Sequence, residues 1–154
     1  MSDGSTIYSG FSGINVADLL PIHVDTIIPQ EEQAGFRDEM PKDIGLFLET
    51  TGESKVITDN SGEIVSICGV LAINGEAITW AVHSNLFKKH VLEVTRAFND
   101  FVVSILESDE FNKVIGFVRN GFDAGHRWLR LLGFALNVNR HDFGSGHSVY
   151  ERTI

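Results

Sequence analysis

Between Val56 and Val82 the apolar positions follow the pattern of strands. Val56-Ile57-Thr58 leads into Asp59-Asn60-Ser61-Gly62, residues that favour a turn. Ile64 to Ile73 and Ala77 to Val82 are two β-type runs separated by Asn74-Gly75. That dipeptide is the strongest short-range hairpin signal, because both residues tolerate positive φ. The period then changes. Phe87, Val91, Val94, Phe98, Phe101, Val102 and Ile105 recur every three or four residues, with Lys88, Lys89, Glu93, Arg96 and Asp100 between them. This spacing predicts an amphipathic helix over Phe87 to Leu106, about five turns long. Lys113 to Val118 reads as a short strand ended by Asn120-Gly121. Ala124 to Leu132 reads as a second amphipathic helix closed by Gly133. Leu136 to Arg140 and Val149 to Thr153 form a last predicted hairpin around residues 142–146.

The first third of the chain is patterned more weakly. Met1 to Ser12 is rich in Ser and Gly and reads as a flexible lead-in, with at most a short strand near Ile7 and Tyr8. Asn15 to Leu20 reads as a strand end or turn feeding a first helix that Pro21 opens and Pro29 stops. Gln30 to Met40 is acidic and predicts a second short helix. Pro41 then opens Lys42 to Thr51, where Ile44, Phe47 and Leu48 share a helical face. A strand–helix–strand–helix–strand stretch inside an otherwise antiparallel set implies an α/β (mixed α+β) fold. Its sheet is mixed but largely antiparallel, with helices on its faces. Residues 13–154 are expected to form one domain.

Composition narrows the classes. The 154 residues are 43% hydrophobic and 21% charged, ordinary globular usage for one core. A formal net charge of −9 argues against a general nucleic-acid binder. Cys68 is the only cysteine, so no intrachain disulfide forms. Its apolar neighbours Ile67, Gly69, Val70 and Leu71 predict a buried, inert thiol. No apolar run reaches membrane-spanning length, and Met1 to Gly10 lacks a signal-peptide core. A cytoplasmic protein that engages no membrane is expected.

The order of elements from Val56 to Ile154 resembles the GNAT (Gcn5-related N-acetyltransferase) superfamily. The most specific match is the segment from Asn120 through Ala124 to Gly133-Phe134. It is similar to the family's penultimate helix, roughly Asn-x-x-x-Ala, an apolar stretch, then Gly-Phe. A closer likeness is to small GNAT-like proteins of short-tailed phages, a group that includes an internal virion or assembly protein. It rests on the Trp80-Ala-Val-His83-Ser84 strand end, the basic long helix and the His126-Arg-x-Leu-x-x-x-Gly133 ending. Two departures stand out. Typical members carry Gln/Arg-x-x-Gly-x-Gly/Ala before the long helix, where this chain reads His83-Ser-Asn-Leu-Phe-Lys-Lys-His90. Many members also place an acidic-role tyrosine where this chain has Leu129.

Ser84, Asn85, Lys88 and Lys89 lie at the predicted strand-to-helix junction, where free N–H groups and the positive helix end favour a phosphate. The plainer reading is two solvated lysines in an acidic protein. The resemblance implies that acetyl-CoA binds there, with Asn120 on the pantetheine amides and Arg127 or Arg130 on a phosphate. Asn120 also suits a simple Asn-Gly turn, and both arginines suit a solvated helix face. Acyl transfer to an amine needs a base. His83, at its strand end, has an unperturbed pKa suited to that work, and Glu76 at the hairpin turn is the second candidate. A polar strand-end residue is the plainer reading of His83. Trp128 reads as core. His141, Asp142 and His147 fall short of a zinc set, and no metal is expected.

Two functions follow from the resemblance. One is an acyl-CoA-dependent N-acetyltransferase acting on a small amine or a protein, with an acidic surface suited to a cationic acceptor. The other is a non-catalytic GNAT-fold protein in virion assembly or host-factor binding, which places it in the host cytoplasm or virion. Fold alone does not choose between them. The strands ending at His83 and Asn120 should part if a cofactor enters.

Overall fold

A computed structural model describes residues 13–36, 53–73, 75–108, 110–140 and 146–153. The readings for Ile7 and Tyr8, for Lys42 to Thr51, and for His141 and Asp142 lie outside these residues. Seven strands form one sheet in the order β1-β2-β3-β4-β5-β7-β6. They are β1 (Ile14–Asp18), β2 (Ser54–Asp59), β3 (Ile64–Ile73), β4 (Glu76–His83), β5 (Lys113–Arg119), β6 (Ala135–Asn137) and β7 (His147–Thr153). Among the described residues the helices are α1 (Pro21–Thr26), α2 (Val91–Glu107) and α3 (Asp123–Leu131). β4 and β5 are parallel, whereas β1–β2, β2–β3, β5–β7 and β6–β7 are antiparallel. The expected mixed, largely antiparallel sheet is therefore present. Among the described residues no helix is long and apolar enough to cross a membrane.

Contacts group the chain into two compact units. The first comprises Met1–Val70 and Ala81–Phe98. Here β1 pairs with β2 from Ile14↔Asp59 to Asp18↔Lys55, and the buried Lys55 ammonium meets Asp18 Oδ1 at 2.7 Å. The predicted turn after β2 is built on Asp59. Its Oδ1 accepts from Ser61 Oγ (2.6 Å), Ser61 N (2.9 Å) and Glu63 N (3.0 Å), and Gly62 takes φ +87°. The Ser61 hydroxyl, together with those backbone N–H groups, holds the Asp59 carboxyl below its ordinary value. Pro21 opens α1, as expected. Cys68 is buried, and burial pushes its thiol up to about 12, which makes it inert.

Two expectations are corrected in this unit. The long helix begins at Val91, not Phe87. Asn85–Lys89 is a separate 3₁₀ turn, capped by Ser84 and closed by His90 N donating to Phe87 O at 3.0 Å. The hydrophobic period ran through the break because the half-buried Phe87, in the turn, is spaced four residues before Val91. The stretch after Gln30 begins with a 3₁₀ turn over Glu31–Gln33 rather than an α-helix; beyond Phe36 it lies outside the described residues.

The second unit comprises Leu71–Trp80 and Asn99–Ile154. β5 pairs with β7 along its whole length, from Lys113↔Thr153 to Arg119↔His147. Ile78, Ile115 and Val149 form an apolar cluster with Leu71 and Phe117. The Gly-Phe pair ends α3 as the sequence implied. Gly133 takes φ +86°, Phe134 N donates to Leu129 O at 3.0 Å, and the Phe134 ring is buried. Arg152 Nη1 donates to Leu132 O (2.9 Å) and to Asn99 Oδ1 (2.7 Å), so a charged donor satisfies a terminal helix carbonyl.

Gly125 in α3 is fixed by space rather than by backbone. A methyl there would lie 2.8 Å from Phe122 Cδ2 and 2.9 Å from Val118 Cγ1. Alanine gains about 0.8–1 kcal/mol over glycine in a helix, but overpacking costs about 1–3 kcal/mol. Gly125→Ala should therefore lower the unfolding free energy by about 1 kcal/mol, read as a lower urea midpoint at constant slope. A raised midpoint would show that Phe122 moves aside without strain.

Candidate functional site

The sequence candidates fall in both units. His83 through Lys89 lie in the first, whereas Glu76, Asn120, Arg127 and Arg130 lie in the second. The parallel β4–β5 register covers Ala77↔Val114 and Ile78↔Ile115. Thr79 Oγ1 donates to Ile115 O at 3.0 Å, substituting a side chain for the next rung. Beyond it β4 continues to His83 and β5 to Arg119.

His83 is buried. Its Nδ1 lies 2.6 Å from Ser66 Oγ, and its ring stacks on Phe87 with centroids 3.9 Å apart. Burial pulls its pKa down to about 3, so the imidazole is neutral at physiological pH. Ser84 Oγ accepts from Leu86 N at 3.2 Å and donates to Ile64 O at 2.8 Å, while Ser84 N donates to Val65 O at 2.9 Å. The junction is thus organised by its own serine cap, with Asn85, Lys88 and Lys89 exposed around it. The two lysines precede the helix instead of opening it, because the 3₁₀ turn takes them. The first turn of α2 holds Glu93, whose Oε2 lies 3.5 Å from His90 Nδ1.

In the second unit Glu76 faces Arg140 through both carboxylate oxygens, at 2.7 and 3.0 Å. Arg140 and Lys113 also reach Glu151, at 3.5 and 3.4 Å. Burial pushes the Glu151 carboxyl up, but the Asn137 hydrogen bond, Lys113 and Arg140 outweigh it and hold it below its ordinary value. Asn120 is exposed beyond β5, where its Oδ1 accepts from Ser148 Oγ at 2.7 Å and its N–H donates to Gly146 O at 2.8 Å. Arg127 and Arg130 are exposed, and the Arg130 guanidinium sits 5.8 Å from the Tyr150 ring centroid. Leu129 is buried against Gly116. Among the described residues no group of three His, Cys, Asp or Glu is arranged for a metal.

Several site residues were not marked by the sequence. Ser66 alternates unremarkably in an apolar strand. Gln30 and Gln33, described below, sit in a stretch read as an acidic helix. Arg119 O can only accept, so His126 Nε2–H donates to it (3.2 Å), and in the neutral ring this leaves Nδ1 to accept from the Tyr150 hydroxyl (2.7 Å). Among the described residues the buried Trp80 indole N–H on β4 has no hydrogen-bond partner. Trp80 follows the last β4–β5 pair by two residues.

This fold is that of the GNAT acetyltransferases. It matches a probable acetyltransferase with a TM-score of 0.71 at 14% identity, over 96% of this chain and 97% of the other. It matches the GNAT domain of S. lividans PAT with a TM-score of 0.71 at 8% identity, over 97% of each chain. It matches RimL, a ribosomal L7/L12 alpha-N-protein acetyltransferase in complex with coenzyme A, with a TM-score of 0.64 at 12% identity. That match covers 97% of this chain and 98% of the other. No protein-family model and no curated protein sequence matches the chain.

His83 gives the site a pH signature. Its folded pKa lies below the unfolded value, so the unfolded chain takes up a proton first as pH falls. Its contribution to stability is intact above about pH 6.5 and is lost progressively down to about pH 3. The slope is about 1.4 kcal/mol per pH unit within that window. Comparing urea midpoints of the wild type and His83→Gln across it should show the variant with the shallower acid loss. Parallel curves would mean that His83 is protonated in the fold.

Proposed function

We propose that the protein is an acyl-CoA-dependent N-acetyltransferase of the GNAT type. The observation that carries this reading is the short β4–β5 register. The register stops at Ile78 and Ile115, and beyond it Ala81 O and His83 N are held by the Gln33 side chain instead of a strand, an edge that the amides of an extended ligand suit. The Trp80 orphan N–H supports it, because an amide or thioester carbonyl suits that donor. Bound acetyl-CoA supplies an activated acyl group. In this reading the exposed Lys88 and Lys89 attract its phosphates, and the exposed Arg127 and Arg130 supply further positive charge. Asn120 is assigned to the pantetheine amides.

His83 is neutral and buried, and Glu76 is engaged by Arg140. In this reading His83 shapes the junction through Ser66 and Phe87, and the acceptor amine reacts from its own neutral fraction. Transfer should then keep rising with pH toward the amine's pKa. The acidic surface favours a cationic amine or a basic protein segment as acceptor.

A second reading is a non-catalytic GNAT-fold protein in virion assembly or host-factor binding. Leu129, packed in the core at the position of the family's tyrosine, favours it, and so does the self-capped Ser84–Lys89 junction. The phage association rests on the sequence likeness alone.

Calorimetry with CoA and a thiol-release assay with acetyl-CoA and a panel of amines separate the two. The transferase reading expects binding, and expects Lys88→Glu with Lys89→Glu to weaken it by at least about tenfold. Absence of binding at millimolar CoA leaves the scaffold reading. Binding without turnover leaves a CoA-binding protein that has lost transfer.

A further inference from the structure

The last residues of β4 carry backbone groups that need partners on two edges. The Ser84 amide donates to Val65 O on β3 at 2.9 Å. Successive residues of a strand aim their N–H and C=O groups at opposite edges. His83 and Ala81 therefore face away from β3, along the edge that pairs with β5 lower down. Their partner at this level is a side chain. Gln33 Nε2 donates to Ala81 O at 2.9 Å, and Gln33 Oε1 accepts from His83 N at 2.8 Å. Gln30 completes the arrangement. Its backbone N–H donates to His83 O at 2.8 Å, and its Nε2 donates to Gln33 Oε1 at 3.0 Å. One primary amide thus stands in for the N–H and C=O of one residue of a neighbouring strand.

We propose that Gln33 is a displaceable plug in the ligand site, occupying the part of the β4 edge that the amides of a pantetheine arm pair with. The proposal rests on the acyl-CoA reading above. Pantetheine carries two secondary amides in series, and the N–H of one with the C=O of the next can meet Ala81 O and His83 N as the N–H and C=O of one strand residue do. That exchange replaces both Gln33 hydrogen bonds and needs no new polar group in the protein. The plug is also easy to move. Gln33 is half-buried in a three-residue 3₁₀ turn flanked by exposed Glu31, Glu32 and Ala34. Gly35 has nothing within 4 Å of where a Cβ would stand. By contrast, the Gln30 side chain is buried and holds the Gln33 carbonyl from behind, which keeps the plug seated when no ligand is present. The cost of unseating it lowers affinity for ligands that need the edge and leaves others untouched.

Three proteins decide the matter: the wild type, Gln33→Ala, and Gln33→Met, which keeps the bulk without the amide. The probes are CoA, pantetheine, and the adenosine bisphosphate half of CoA, which has no pantetheine amide. The proposal expects Gln33→Ala to bind CoA and pantetheine about tenfold more tightly than the wild type. It expects no change for the adenosine bisphosphate. Gln33→Met should gain less than Gln33→Ala, because its side chain still fills the space. In hydrogen exchange the His83 amide should exchange faster in both variants without ligand and slow again when CoA is added. Wild-type binding with no gain in either variant overturns the plug and leaves the acyl-CoA reading standing. An equal gain for the adenosine bisphosphate also overturns it, since the effect would not pass through the amides. If none of the three proteins binds CoA, the acyl-CoA reading falls and the plug falls with it.

Discussion

A strand inside a sheet has to satisfy its backbone groups on both edges, and β4 does so over most of its length without a second strand. After Ile78 its register with β5 ends, and the groups of Ala81 and His83 on that edge are met by the Gln33 side-chain amide and the Gln30 backbone N–H. Leaving those groups buried and unpaired would cost about 1–3 kcal/mol each, so the fold must provide something in the place of β5. Everything proposed about the site follows from what fills that edge and how firmly it is held.

The surroundings make the end of β4 a fixed platform. Ser84 serves at once as partner to β3 and cap of the 3₁₀ turn, and that turn lays Phe87 on the His83 ring. The imidazole is consequently dry, neutral and hydrogen-bonded to Ser66, a better brace than a base. In the second unit the same economy appears around Arg152 and Arg140. One guanidinium closes the end of α3 and the other ties the residues after β6 to the start of β4. Charged side chains there act as fasteners, which is why Glu76 and Glu151 are half-buried yet paired.

The elements governed by local chemistry were legible in the sequence. The Asp59 turn, the bend at Gly75 and the Gly133 helix end each follow from residues adjacent in the chain, and Gly62, Gly75 and Gly133 take the positive φ that such turns demand. The start of the long helix was misplaced because hydrophobic period alone does not register a break at His90. Gln33 and Ser66 were invisible for a different reason. Their roles come from partners 50 and 17 residues away, which no local pattern encodes. His83 stood out in the sequence by its place at the strand end, but its burial, which sets its protonation, depends on tertiary packing against Phe87.

The proposed ligand site is the β4 edge at Ala81 and His83. The most direct measurement is an amide-resolved magnetic resonance titration of the protein with CoA. The His83 backbone amide and the Gln33 side-chain amide should shift together with the Trp80 indole N–H, at one common affinity. Saturation with CoA that leaves those three signals in place would contradict it.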